Sequence, residues 1–355
     1  MKRLINVAAT LVAATLVALL SLALVAGFTG CSKNSGKTLY LYNWTYYTPD
    51  SVIAKFEKEY GVKVVYDDYA SNEDMYAKLK AGGTGYDIVI PSGDYVSIMK
   101  SQDMLVKLDL AKIPNVKYIR SETLAKATYD PKMEYSVPYY MGAAGVAVNK
   151  EKVPNFDPSW NIFARKDLAR MSMMDDMREV MGDALAYLGY SVNTTNDAEL
   201  QKAYDLINKN WKPNLVKFDA EGFAKSFASG EFWVVQGYAE AIYAEVPADM
   251  VSKVAFFIPT NEGGPMYLDS MCIPKGAQNV ELAHKFINFI LRPDIYAEFL
   301  DTFGFPSTIH TEAGNLQKKT PYYTVEALKN CELKNDLGEN LEKYNKIWQK
   351  IRFTE

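Results

Sequence analysis

Few residues in this chain are suited to metal binding or nucleophilic catalysis. The 355 residues include three cysteines and two histidines. Neither His284 nor His310 has metal-ligand spacing to a cysteine or to the other histidine, so we predict no metal site and no cofactor. The sequence offers no serine–histidine or cysteine–histidine pair of the kind used in covalent catalysis, which argues against a nucleophilic enzyme.

Basic residues are also too few and too dispersed for a nucleic-acid surface. The chain has 39 lysines and arginines against 43 aspartates and glutamates, and its formal net charge is -4 at pH 7. No basic block occurs along it, so nucleic acid is not a predicted partner. Aromatic residues are plentiful, by contrast. The 25 tyrosines and 5 tryptophans suit ligand-lining surfaces as well as cores.

The N-terminal segment predicts export. Lys2 and Arg3 precede an apolar run that reaches Phe28, and the composition turns polar directly after Cys31. A positive start, an apolar stretch and small residues before a break are typical of a secretory signal. The alternative is an uncleaved transmembrane anchor, because the run is long enough to span a bilayer. Both interpretations place residues from Ser32 onward outside the cytoplasmic membrane.

The step from Gly30 to Cys31 resembles the lipobox of bacterial lipoproteins. In that family the signal is cut before the cysteine, and the thiol receives a diacylglycerol. The resemblance implies that residues 1–30 are a lipoprotein signal peptide, that Cys31 is lipidated and that residues 31–36 form a tether. The mature protein is then expected to be anchored by lipid in the bacterial periplasm or cell envelope.

The chain beyond the signal is too long for one ordinary hydrophobic core, so we expect two domains. Predicted strands and helices alternate along its first part, at residues 38–42, 50–60, 62–66, 72–80, 86–90 and 94–101. This alternation is typical of crossover units in a mainly parallel sheet. Because no long linker separates the domains, the chain is expected to pass between them at a structured hinge.

Two cysteines remain beyond the proposed lipidation site. An exported compartment permits a disulfide between Cys272 and Cys331. Two buried free thiols are the alternative. The sequence leaves both open, because it does not reveal how close the two residues lie in space.

Polar and aromatic residues follow several predicted strands, at residues 43–47, 91–95 and 175–179, and in Tyr267 and Asp269 an aromatic and a carboxylate share one strand face. Ligands of open α/β sheets gather at the carboxyl ends of strands. Each group has a structural alternative. The aromatics could be packing residues, Ser92 or Asp94 a helix cap, and Asp269 the partner of a lysine. Asp176 with Glu179 has the spacing of an acidic capping box.

Carboxylates together with aromatics suit a cationic, aliphatic ligand. Carboxylates compensate the large cost of removing water from ammonium groups. Aromatic faces cover methylene groups and attract the cation by about 0.5–2 kcal/mol per contact. Paired carboxylates would also serve a glycosidase, so a secreted carbohydrate hydrolase remains an alternative from the residues alone.

Several segments, in order along the chain, resemble the periplasmic spermidine/putrescine-binding proteins of bacterial polyamine ABC importers, and they are residues 40–47, 71–79, 86–92, 175–180, 268–270, 287–294 and 334–338. The resemblance implies the α/β type II solute-binding fold, a two-lobed periplasmic-binding-protein-like architecture. Each lobe is a mixed, mainly parallel sheet flanked by helices, and the ligand binds in the inter-lobe cleft. Lobe 1 would take residues 37–141 and 268–313, and lobe 2 residues 142–267 and 314–355.

The resemblance also implies ligand-binding positions. These are Trp44, Thr45, Tyr47, Ser92, Asp94, Asp176, Glu179, Gln236, Tyr267, Asp269, Phe305 and Lys334. Asp176 and Glu179 match the carboxylates for a terminal and a neighbouring ammonium group, and Asp269 matches the carboxylate for the amine at the other lobe.

Three of these positions depart from the family. Asp94 replaces an aromatic, Gln236 a tryptophan and Lys334 a neutral amide. A lysine would repel an ammonium group unless it pairs with a cleft carboxylate such as Asp94. The departures leave the choice between spermidine and putrescine open.

The expected function is capture of spermidine or putrescine, without covalent chemistry, by a monomeric extracytoplasmic lipoprotein. The closed form would be recognised by an ABC permease that an ATPase drives. The alternative is a binding protein for another small cationic metabolite or a metal complex.

Overall fold

The structure is a computed structural model that describes residues 38–45 and 47–353. The predicted signal peptide, the tether and Cys31 lie outside the described residues. Within the part that is described, no helix is both long enough and apolar enough to cross a membrane.

The bounds of the strands and helices define two sheets and their flanking layers. The strands are β1 (Thr38–Trp44), β2 (Lys63–Tyr69), β3 (Ile88–Val89), β4 (Ser136–Ala143), β5 (Gly145–Asn149), β6 (Met171–Met173), β7 (Leu215–Phe218), β8 (Val234–Gly237), β9 (Val254–Phe257), β10 (Pro265–Cys272) and β11 (Glu332–Leu333). The helices are α1 (Asp50–Tyr60), α2 (Asn72–Lys80), α3 (Gly93–Ser101), α4 (Ser121–Lys126), α5 (Met177–Tyr187), α6 (Asp197–Leu206), α7 (Phe223–Ala228), α8 (Ala239–Glu245), α9 (Val280–Ile290), α10 (Pro293–Phe303), α11 (Ala313–Leu316) and α12 (Leu341–Phe353).

Both sheets mix parallel and antiparallel pairs. The first sheet has the order β11-β10-β3-β1-β2, and β4 also pairs with β10. In it β1 and β3 are parallel, whereas β10 is antiparallel to β3 and β4. The second sheet has the order β7-β6-β8-β5-β9. In it β6 is parallel to β7 and β8, whereas β5 is antiparallel to β8 and β9. Two mixed sheets are the architecture that the resemblance implies.

The chain passes between the sheets more than once. It leaves the first sheet after β4, at Ala143, and enters the second at Gly145. It returns between the end of β9 at Phe257 and the start of β10 at Pro265. The short strand β11 then pairs in parallel with the first residues of β10. The resemblance assigns both β11 and those first residues of β10 to lobe 2. The lobe boundaries stay a prediction.

Helices cover both faces of each sheet. On β1, Leu41 belongs to a core with α1, α9 and α10, whereas its neighbour Tyr42 belongs to a core with α2 and α3. On β5, Val146 packs with α5, α6 and α12, and its neighbour Ala147 packs with α7 and α8. Because side chains alternate across a strand, each sheet is sandwiched between two layers. The strand ends that carry polar residues are therefore held by packing on both sides.

Several helix ends follow signals in the sequence. Helix α1 begins after Pro49 and ends at Gly61, whose φ of 62° is left-handed and favours glycine. Helix α2 begins after Ser71, whose side chain accepts a hydrogen bond from the amide of Asp74. Helix α10 begins with Pro293, which lacks only an N–H that would have no partner inside the helix.

The two cysteines of the described residues are buried and unbridged. Cys272 is 0% exposed and Cys331 4% exposed. Burial raises the pKa of the Cys331 thiol to about 12, which makes it a poor nucleophile. Of the two alternatives left by the sequence, the structure has free thiols.

Candidate functional site

The candidate site lies where parallel strands of both sheets end. Ser92 and Asp94 follow β3 at the start of α3, and Asp176 and Glu179 follow β6 at the start of α5. Glu240 follows β8 in the first turn of α8. The crevice outside the carboxyl ends of strands is where open α/β sheets bind ligands. We call this region the inter-sheet cleft, and its side chains are Tyr47, Ser92, Asp94, Asp176, Glu179, Tyr238, Glu240, Tyr267, Asp269 and Lys334.

Side chains from the two sheets meet across the inter-sheet cleft. The ring of Tyr238, which follows β8, lies 5.7 Å from the ring of Tyr267 on β10, with the planes at 83°. Lys334, directly after β11, forms an ion pair with Glu179 on α5. Residues that are far apart in the sequence thus converge on one region.

Asp269 is a buried carboxylate of the cleft without an ion-pair partner among the described residues. It lies on β10, is 4% exposed and accepts a 2.6 Å hydrogen bond from the hydroxyl of Ser92. The same hydroxyl accepts a 3.1 Å bond from the side-chain amide of Asn72. Ser92 stands at the cap position of α3 but makes no side-chain capping bond. Its hydroxyl orients Asp269 instead, and no lysine or arginine of the described chain pairs with this carboxylate.

The environment of Asp269 makes its ionised form less favourable than it would be in water. Burial raises its pKa to about 7, although the hydrogen bond from Ser92 and the nearby Tyr47 hydroxyl oppose the shift. The Tyr47 hydroxyl is itself buried and has no hydrogen-bond partner among the described residues. A nearby positive charge would restore the ionised carboxylate. This end of the cleft is therefore prepared for an ammonium group.

Glu240 is a cleft residue that the sequence analysis missed. Burial raises its pKa to about 7, its own backbone N–H opposes the shift, and the charge of Asp269 adds to it. The structure gives Glu240 no ion pair with a described lysine or arginine. The available signal was its position, because it is an acidic residue in the first turn of a helix that follows a strand. Helix α8 is short and was not predicted, so the signal went unused.

Tyrosines form the wall beside Asp269. The ring of Tyr267 lies 6.3 Å from that of Tyr140, whose hydroxyl lies 2.8 Å from the hydroxyl of Tyr323. Gly142 on β4 makes this close packing possible. A Cβ there would lie 2.6 Å from the Tyr267 hydroxyl and 2.9 Å from the Tyr323 hydroxyl. The wall offers apolar ring surface for methylene groups and partial negative charge for a cation.

Asp176 caps helix α5. One of its carboxylate oxygens accepts the amides of Arg178 at 2.8 Å and Glu179 at 3.0 Å. The capping interpretation is thus right for Asp176. It does not extend to Glu179, because the Glu179 side chain bonds to Lys334 and Tyr238 rather than back to the cap.

The Glu179 end of the cleft already contains a cation. The side chain of Glu179 is 1% exposed and that of Lys334 is 15% exposed. Lys334 pairs with a cleft carboxylate, as the sequence suggested, and that carboxylate is Glu179 rather than the example Asp94. Asp94 also lies near Lys334. Burial raises the pKa of Asp94, whereas the charges of Lys334 and Arg178 lower it.

The charges at this end support one another. Burial alone would lower the pKa of Lys334, but the carboxylates of Glu179 and Asp176 outweigh it and raise the pKa above its ordinary value. Burial raises the pKa of Glu179, and Lys334 offsets part of that shift. We conclude that Lys334 remains an ammonium ion inside the protein, balanced by the carboxylates around it.

Four of the predicted positions form hydrogen bonds or ring contacts with other parts of the protein. Gln236 is buried, accepts the Met174 amide at 3.0 Å and donates to Asp183. Phe305 is 0% exposed and stacks on Tyr140 at 3.9 Å. Both side chains are therefore part of the buried packing around the cleft.

The remaining two follow β1. The indole N–H of Trp44 donates to the Ile90 carbonyl at 3.0 Å, and its ring lies 4.8 Å from that of Tyr69. Thr45 is exposed, and its amide donates to the Tyr69 carbonyl at 3.3 Å. Their polar groups serve the backbone of neighbouring strands.

Comparison with known proteins places this chain among transport proteins. The sequence profile of the family described as bacterial extracellular solute-binding protein matches residues 51–321. The spermidine/putrescine-binding periplasmic protein of Escherichia coli (strain K12) is 36% identical, covering 93% of this chain and 96% of the relative. The putrescine-binding periplasmic protein SpuD of Pseudomonas aeruginosa (strain UCBPP-PA14) is 36% identical, covering 82% of this chain and 83% of the relative.

The fold is similar to a solved structure. The TpPotD lipoprotein of Treponema pallidum superposes with a TM-score of 0.88 at 63% sequence identity, covering 89% of this chain and 100% of the relative. The predicted two-lobed fold class is confirmed by this similarity.

Proposed function

The chain belongs to the bacterial extracellular solute-binding proteins, and from this membership we propose that it captures polyamines outside the cytoplasmic membrane for an ABC-type importer. The names of its relatives support the ligand class, since they are spermidine/putrescine-binding and putrescine-binding proteins. These relatives are solute-binding transport proteins rather than enzymes, and a periplasmic location follows from their description.

The single observation that carries the proposal is the burial of Asp269 without a cation partner. It is a buried carboxylate, oriented by Ser92, flanked by tyrosines and without a cation partner in the described chain. Such a group is unfavourable when charged unless a cation joins it. An ammonium group at the end of an aliphatic chain supplies the cation to Asp269 and the methylenes to the Tyr267 wall. Glu240, which follows β8 in the second sheet, adds a second carboxyl close to Asp269.

The finer proposals concern anchoring and delivery. We propose that residues 1–30 are removed, that Cys31 is lipidated, and that a monomer with the predicted lobes closes on the ligand before it meets the permease and its ATPase. The lipobox-like break supports the anchor, as does the description of the Treponema pallidum relative as a lipoprotein. Cys31→Ala should release the protein from membranes or leave the signal uncut. Unchanged membrane extraction together with unchanged size would favour a transmembrane anchor instead.

Calorimetric titration of the mature chain tests the ligand class directly. We expect at least one of putrescine, cadaverine, spermidine and spermine to bind with a Kd on the order of micromolar or tighter. Butylamine, which has the chain length of putrescine and a single amine, should bind far more weakly. Failure of all four polyamines, with binding of another small cation, would instead establish the alternative of a different cationic solute.

A further inference from the structure

The ion pair between Lys334 and Glu179 occupies one carboxylate of the cleft. One oxygen of Glu179 accepts the Lys334 ammonium group and lies 3.4 Å from the Tyr238 hydroxyl. The other oxygen is buried and has no hydrogen-bond partner in the described structure. Unlike Asp269, the buried Glu179 already has an ammonium partner, so a ligand ammonium group there would have to share the carboxylate with Lys334 or displace it.

The backbone of Lys334 is fixed from two sides. Its amide donates to the Met266 carbonyl at 3.0 Å, where β10 and β11 pair. Its neighbour Asn335 donates its amide to the Asn193 side chain at 2.8 Å and accepts a 3.1 Å bond from Arg178. Withdrawal of the ammonium group would leave Glu179 as a buried, unpaired carboxylate, which is strongly unfavourable.

We propose that the Lys334 ammonium group is a built-in occupant of one amine position, so that this protein selects linear diamines over the triamine spermidine. This inference rests on the proposed polyamine function and specifies which members of that class are bound. Lys334 is then a specificity-determining residue, because its ammonium group occupies the position beside Glu179 that a ligand ammonium group would otherwise take.

The carboxyls that remain suit two ammonium groups. Asp269 has no cation partner in the described chain, and neither Asp94 nor Asp176 forms an ion pair with a described lysine or arginine. A diamine can place one ammonium group at Asp269 and the other towards Asp94 and Asp176. A third ammonium group would have to approach the like charge of Lys334 in a site with little water, where repulsion is strong, or displace Lys334 from Glu179.

The test is calorimetric titration of the parent chain, Lys334→Gln and Lys334→Met with putrescine, cadaverine and spermidine. The Gln amide still donates a hydrogen bond to Glu179, and Met keeps the length of the side chain without its charge. Lys343→Gln is the matched control, because Lys343 pairs with Asp197 on the surface, where their side chains are 41% and 83% exposed. Thermal melting of each variant verifies folding.

We expect the parent to bind putrescine or cadaverine roughly tenfold or more tightly than spermidine, a difference of one modest charge interaction. Both Lys334 variants should narrow or reverse this ratio by about tenfold, and Lys343→Gln should keep it. A parent that binds spermidine as tightly as putrescine overturns the inference, whatever the variants do. So does a ratio that neither Lys334 variant alters, although polyamine binding itself would then stand. Absence of binding to all three amines would contradict the proposed function itself.

Discussion

The two ends of the inter-sheet cleft use the same acidic residues but differ in charge balance. At one end Glu179 is paired with Lys334, and Asp176 caps a helix. At the other end Asp269 and Glu240 have raised pKa values of about 7 and no cation partner among the described residues. Glu179 already has a cation supplied by the chain, whereas Asp269 depends on a cation from outside.

This difference indicates that carboxylates in a binding cleft do not have equal roles. A buried carboxylate that has an internal cation is already neutralised within the chain. A buried carboxylate without an internal cation is unfavourable when it is charged. It therefore gains most when a ligand brings a cation to it. We therefore expect substitution of Asp269 to affect affinity most, and substitution of Asp176, which also caps a helix, to affect stability more than affinity.

The largest effect is expected for Asp269→Asn. The change keeps the shape and removes the charge, so polyamine affinity should fall by about 2–5 kcal/mol, or roughly 30- to several-thousand-fold. Calorimetric titration measures this loss. Asp167→Asn is the control, since Asp167 pairs with Arg165 on the surface at 64% exposure. Polyamine binding at the parent's affinity in Asp269→Asn would show that the assigned ammonium site is wrong.

Glu240→Gln should have the next largest effect. Loss of a second, half-buried carboxyl near the bound ammonium group should weaken binding by about tenfold. Glu245→Gln provides a control on the same helix, because Glu245 is exposed. Equal affinities in the two variants would remove Glu240 from the site and leave Asp269 alone at that end.

Affinity should also depend on pH at the Asp269 end. The folded-state pKa values of Asp269 and Glu240, about 7, lie above the ordinary values of about 4 for unfolded carboxyls. The folded protein thus binds more protons between these limits, so the free energy of unfolding without ligand falls as pH rises through this window. The ligand favours the ionised carboxylates, so binding should tighten by several-fold to about tenfold between roughly pH 5.5 and 7.5.

Titration in buffers with different ionisation heats measures the protons released on binding. Near pH 6.5, binding should release protons, and Asp269→Asn should release fewer. Asp94, Lys334 and Tyr47 adjoin the same carboxyl, and the ordinary pKa values of Lys and Tyr lie well above this range. Binding that neither releases protons nor changes with pH would indicate that these carboxyls are already ionised without ligand.

The smallest effect on affinity is expected for Asp176→Ala. Loss of the cap of α5 should lower the free energy of unfolding by about 1 kcal/mol. Thermal or chemical denaturation measures this change, and binding should weaken less than in Asp269→Asn. If affinity falls as far as it does in Asp269→Asn while stability is unchanged, the contrast between the two ends fails.

The sequence predicts local structure well because its signals are local. The helices at residues 50–60 and 72–80 have the bounds that the structure gives, since Pro49, Gly61 and Ser71 mark their ends. The short elements α8 and β11 were not predicted. Two strand residues or seven helical residues carry too little periodicity to stand out from a loop.

The sequence predicts several residues of the site, but it does not predict which of their side chains pair with one another. The resemblance identifies Asp269, Glu179 and Lys334, yet the partners of these side chains depend on contacts across the fold. The Ser92–Asp269 bond joins residues 177 positions apart, and the Lys334–Glu179 pair joins residues 155 positions apart. Residue types alone suggested only that Lys334 pairs with a cleft carboxylate such as Asp94, because nothing local distinguishes one acidic residue from another.

A crystal structure of the putrescine complex tests the contrast between the two ends most directly. We predict one ligand ammonium group within hydrogen-bond distance of Asp269, with the Lys334 ammonium group still on Glu179. A ligand ammonium group bound to Glu179, with Lys334 displaced and Asp269 without a ligand contact, would contradict the account.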